Sequence, residues 1–138
     1  MPLFSKRKDF AVHSLVLKLV NNHCPRLAAM QEGPRGDSRV NLVVVVMIVP
    51  IENGQLQLAE AFTATTKEFS SDGVSVVLNQ PKGLDHAILG FRVEGEMNFV
   101  RAQARHLDPM GGGFYQLGFH LMEVVSSSDY PELRSAGI

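Results

Sequence analysis

Val40-Asn41-Leu42-Val43-Val44-Val45-Val46-Met47-Ile48-Val49-Pro50 is the stretch on which the fold turns. It is almost wholly apolar and mostly β-branched, which reads as a buried central strand. Glu52-Asn53-Gly54 follows, and Asn-Gly is a strong hairpin signal. Leu56 to Phe69 is rich in Thr and Ala and reads as a second long strand, and Val74–Leu78 as a short third. His86–Val93 is a fourth, ended by Glu94-Gly95-Glu96. Val100 to Leu107 alternates as a fifth, with Val100, Ala102, Ala104 and His106 on one face and Arg101, Gln103 and Arg105 on the other. Pro109-Met110-Gly111-Gly112-Gly113 reads as a loop, and Tyr115, Leu117, Phe119 and Leu121 line one face of a sixth strand. Six strands with no helix between them predict a mainly β fold, an antiparallel barrel or sandwich, of which the barrel is the expectation adopted. Its first and sixth strands are expected to meet, and Val43, Val45, Val76, Phe119 and Leu121 to be buried.

Upstream of this block, Val12, Leu15, Val16, Leu19 and Val20 recur at helical spacing. The pattern predicts a helix over roughly residues 9–22, capped by Asp9 and stopped at Asn21-Asn22, with Cys24-Pro25 breaking the chain. Leu15, Leu17 and Leu19 also alternate, which keeps a strand open. Residues 31–39 are polar, with two Gly and a Pro, and read as a loop. Downstream, the polar run from Ser126 is expected to fray. The predicted organisation is an N-terminal helical appendage over 1–30, a β-barrel domain over 31–125 and a flexible tail over 126–138.

A chain of 138 residues with 45% hydrophobic and 20% charged residues has the composition of one folded domain, not of a disordered one. The lone Cys24 excludes an internal disulfide framework and a Cys-based zinc site, and fits a reducing compartment. The longest apolar run, Leu42 to Ile51, is half the roughly 20 residues a spanning helix needs. His13, Ser14 and Lys18 interrupt what would be the apolar part of a signal peptide, so a cytoplasmic location is expected. The net charge of −1 hides an asymmetry. Residues 1–39 carry seven basic and three acidic groups, and residues 40–138 six basic and eleven acidic. The basic N-terminal part suits an anionic partner, or simply attracts the acidic remainder.

Catalytic signatures are missing from the sequence. The five His do not fall at metal-ligand spacing. His106 and His120 lie on predicted neighbouring strands, but two His without a third ligand make a poor metal site. No Gly-x-Ser-x-Gly elbow accompanies Ser70, Ser71 and Asp72, and no phosphate-loop signature occurs. The expectation is a protein that is not an enzyme and has no cofactor or metal.

Two short segments flank the β pattern. Arg35-Gly36-Asp37-Ser38-Arg39 puts two Arg four residues apart in a loop. Guanidinium groups pair bidentately with phosphate, stack on purines and donate to guanine O6 and N7. Glu68-Phe69-Ser70-Ser71-Asp72-Gly73 forms the turn between the second and third strands. It offers a carboxylate for guanine N–H donors, a small hydroxyl, and a Gly that permits close approach.

Arg-x-x-x-Arg before a β domain, followed by Asp/Asn-x-Ser-x-x-Gly after the second strand, resembles the PilZ domain family. That family is a six-stranded β-barrel that binds the bacterial second messenger cyclic di-GMP. Arg35 and Arg39 match the first motif, and Ser70 and Gly73 the second, with Glu68 where the family has Asp or Asn. Gly113-Phe114-Tyr115-Gln116-Leu117-Gly118-Phe119 is similar to the family's last strand. The resemblance covers about residues 31–125. It implies a cyclic di-GMP receptor with Arg35, Arg39, Glu68, Ser70 and Gly73 as ligand-binding residues, signalling through a conformational change to a protein partner. The alternative is a degenerate barrel that binds no nucleotide and serves as a protein-interaction module. An oligonucleotide-binding barrel fits less well, because Arg101, Gln103 and Arg105 lack interleaved aromatics and Trp is absent. Neither nucleic acid nor membrane insertion is expected, and a homodimer is left open.

Overall fold

The computed structural model describes residues 11–19, 39–126 and 128–135, and is mainly β with one short helix, α1, at residues 11–19. The strands are β1 (Val40–Asn41), β2 (Val45–Glu52), β3 (Gln55–Leu56), β4 (Phe62–Phe69), β5 (Gly73–Leu78), β6 (His86–Val93), β7 (Glu96–Gly111) and β8 (Phe114–Val125). Short 3-10 turns stand at Leu58–Glu60 and Pro131–Ser135.

Every pairing is antiparallel. β2, β4 and β5 form one meander, β6, β7 and β8 a second. Two seams join them, β2 to β6 and β5 to β8, so six strands pair in a ring. The first and last strands, expected from the sequence to meet, do not close the ring. β2 pairs with β4 and β6, whereas β8 pairs with β5 and β7.

The Asn53-Gly54 hairpin is present, with both residues at positive φ, as a tight turn matched to strand twist requires. The expected second strand from Leu56 is broken by the 3-10 turn and resumes at Phe62. Pro109 and Met110, expected in a loop, extend β7.

The parity of the opening stretch differs from expectation. Val43 and Val45 are 71% and 64% exposed, while Val40, Leu42, Val46 and Ile48 face the main core. A run of consecutive apolar residues carries no alternation, so its inward face cannot be read from the run itself. Val76, Phe119 and Leu121 are buried as expected. Between β1 and β2 Thr66 adds to the backbone bonds with β4: its Oγ1 donates to the Leu42 carbonyl (2.6 Å) and accepts from the Val44 N–H (2.9 Å).

Val12, Leu15, Val16 and Leu19 of α1 are buried in the same cluster as the strands. The described part of the N-terminal segment thus packs into the common core. Residues 9–10 and 20–25, with the expected caps, lie outside the described residues. The opposite face of β2, β6 and β7 has its own cover. Leu133 packs there with Val49, Ile88 and Phe99 and is 1% exposed, so the segment expected to fray contributes to packing. No helix among the described residues is long and apolar enough to cross a membrane.

Candidate functional site

β1 runs antiparallel to the end of β4, with Asn41 opposite Glu68 and Val40 opposite Phe69. Arg39, one residue earlier, therefore emerges beside the β4–β5 turn. There its Nη1 donates to Glu68 Oε1 at 3.2 Å. The turn is closed by the Ser70 N–H donating to the Gly73 carbonyl at 2.9 Å. A Cβ on Gly73 would stand 3.0 Å from Ser70 Oγ and 3.1 Å from the Phe119 carbonyl oxygen, so any side chain there would crowd both. Sequence positions 39 and 68–73 thus converge, and Arg39, Glu68, Ser70 and Gly73 line one groove of about 420 Å³. Arg35 lies outside the described residues, as do Glu32 and Asp37, the local partners an alternative reading would give the Arg pair.

Sequence reasoning missed the rest of the groove. It crosses the β5–β8 seam and reaches β7. Glu68, Ser75, Gly118 and His106 stand opposite one another on four successive strands. His106 belongs to this outer row because β7 bulges between Ala104 and His106, leaving Arg105 as the extra residue. A bulge inserts one residue and reverses the alternation beyond it, so His106 leaves the core face on which simple alternation had put it. Gly118 has nothing within 4 Å of where a Cβ would be. Ser75 is 7% exposed, and its Oγ is buried without a hydrogen-bond partner. His120 Nδ1 stands 3.8 Å from Asp72 Oδ2 at one end, and Asp108 and Gln116 line the other.

Arg39 and Arg105 face three lining carboxylates, Glu68, Asp72 and Asp108. Such a set suits a ligand that is anionic in one part and rich in N–H donors in another, more than a simple anion. Arg101, part of the basic run considered for nucleic acid, is taken up by Glu123 at 2.7 Å. Among the described residues, no group of three or more His, Cys, Asp or Glu is placed to hold a metal ion.

The fold has a solved counterpart. It is similar to the Bacillus subtilis inhibitor of motility MotI/DgrA, with a TM-score of 0.51 and 16% sequence identity, over 75% of this chain and 49% of that one. The chain thus spans about half the length of the protein it matches. No family model and no curated protein matches the sequence.

Proposed function

We propose that this chain is a PilZ-like β-barrel receptor for cyclic di-GMP that passes its ligand state to a protein partner. The observation that carries the reading is the convergence of Arg39 with Glu68, Ser70 and Gly73 on one groove, residues of both motifs brought together by the pairing of β1 with β4. Likeness of fold to a motility inhibitor adds support for a signalling role. In this mechanism the dianionic ligand draws Arg35 and Arg39 onto its phosphates and guanines, while Glu68 and Ser70 accept from and donate to a base edge. Val40, next to Arg39, shares a core cluster with Leu19 of α1. Capture of the ligand by Arg39 therefore has a packed route to the helix, which reports the bound state.

A second reading has one observation in its favour. Glu68 already neutralises Arg39, which suits a groove that binds no nucleotide and a domain that acts by protein contact. Isothermal titration with cyclic di-GMP separates the two. Binding in the micromolar range, weakened by roughly 1.5–3 kcal/mol in Arg39→Ala as for a charged hydrogen bond, supports the receptor. No heat at high micromolar ligand rejects it in favour of the interaction module.

A further inference from the structure

Arg105 is exposed and makes no ion pair among the described residues, whereas Arg39 and Arg101 both do. Its position is set by the β7 bulge, and it lines the groove from the wall opposite Arg39. Between the walls run β4, β5 and β8. At about 4.8 Å per strand, β1 and β7 are about 19 Å apart along the sheet. The floor between them is made of small residues, Gly73, Ser75 and Gly118, and Gly118 leaves open space above itself. Buried hydroxyls are normally hydrogen-bonded, and one that is not calls for a partner. Ser75 Oγ has none, and Ser75 is one of the residues that line the groove.

One guanine held by Glu68, Ser70 and Arg39 would fill only the β4–β5 side of this surface. We infer that the β7–β8 side is the seat of the other half of a cyclic dinucleotide: Arg105 pairs with its distal phosphate or stacks on its second base, Ser75 hydrogen-bonds it from the floor, and Gly118 gives it room to lie flat. The inference rests on the reading of the groove as a cyclic di-GMP site. It adds three residues that neither sequence motif contains. The chemistry is consistent along the groove. A cyclic dinucleotide offers two phosphates and two guanine N–H edges, and the groove is lined by two Arg and by the carboxylates of Glu68, Asp72 and Asp108.

The test is titration of cyclic di-GMP into wild type, Arg105→Ala, Ser75→Ala and Gly118→Val, with Arg39→Ala as the control and thermal melting of each protein. Gly118→Val has free space to occupy and Ser75→Ala removes only an unsatisfied hydroxyl, so both fold. Arg105→Ala is expected to weaken binding by about tenfold or more, the scale for a lost charged hydrogen bond, and Gly118→Val to weaken it by filling the space above the floor, both with unchanged melting. Ser75→Ala is expected to lose affinity while melting no lower than wild type. Wild-type binding that Arg39→Ala weakens and Arg105→Ala leaves unchanged overturns this inference and leaves the receptor reading intact. No binding by wild type overturns both.

Discussion

Arg39 and Glu68, 29 residues apart in sequence, are joined Nη1 to Oε1 at 3.2 Å, so each motif residue is the other's partner before any ligand arrives. With the Arg39 side chain 72% exposed, the pair is of the kind worth about 0.2–1 kcal/mol, little enough for a ligand phosphate to displace. Glu68 is then free to accept from a guanine. Glu68→Ala is expected to weaken cyclic di-GMP binding by about 1–3 kcal/mol, since base N–H donors lose their acceptor. Glu68→Asp should hold or improve affinity, with fewer rotors to freeze. Both variants should unfold within about 1 kcal/mol of wild type. Tighter binding by Glu68→Ala would show instead that Glu68 only competes for Arg39.

Gly73→Ala tests the turn. Ser70 Oγ can rotate away from the new methyl, but the Phe119 carbonyl belongs to the β5–β8 ladder and cannot. A loss of about 1–3 kcal/mol is expected from overpacking, with a fall in ligand affinity as Ser70 shifts. Denaturant unfolding and titration measure the two effects. An Ala variant as stable as wild type would mean that the ladder yields at no cost.

Thr66 should be intolerant of isosteric exchange. Thr66→Val keeps the shape but strands the Val44 N–H and the Leu42 carbonyl. The expected cost is about 1–3 kcal/mol per buried group left unpaired. Thr66→Ser, which retains the hydroxyl, should recover most of it in the same urea titration.

Leu133 decides whether the C-terminal segment is part of the fold. Its burial against Val49, Ile88 and Phe99 puts the cost of Leu133→Ala at about 2–5 kcal/mol. A loose tail would give no change in unfolding midpoint.

What the sequence discloses here follows from how local each signal is. The six long strands were legible because turn residues such as Asn53-Gly54 and Glu94-Gly95 punctuate them. The inward faces of β5 and β8 were legible because Leu117, Phe119 and Leu121 alternate with less apolar neighbours. Val43 and Val45 were misread because their neighbours are equally apolar, and only the pairing of β2 with β4 and β6 sets the phase. The near wall of the groove was visible in the spacing of Arg39, Ser70 and Gly73. The far wall was not, because one bulge at Arg105 turns His106 outward and no local pattern announces it. Leu133 stands alone in a polar stretch, and one apolar residue has no period.

The two meanders are joined covalently only through residues 79–85, yet their edges meet along both seams. Asn79, Gln80, Pro81 and Gly83 are exposed and belong to no ladder. A break between Asn79 and Pro81 thus severs the chain without removing a strand pairing. The molecule is in this sense a heterodimer written as one polypeptide. Fragments ending at Gln80 and beginning at Pro81 each retain a complete meander with two unsatisfied edges, and each is the complement of the other. Because the groove crosses one of those seams, its occupant touches both fragments, and ligand becomes a third component of their reassembly.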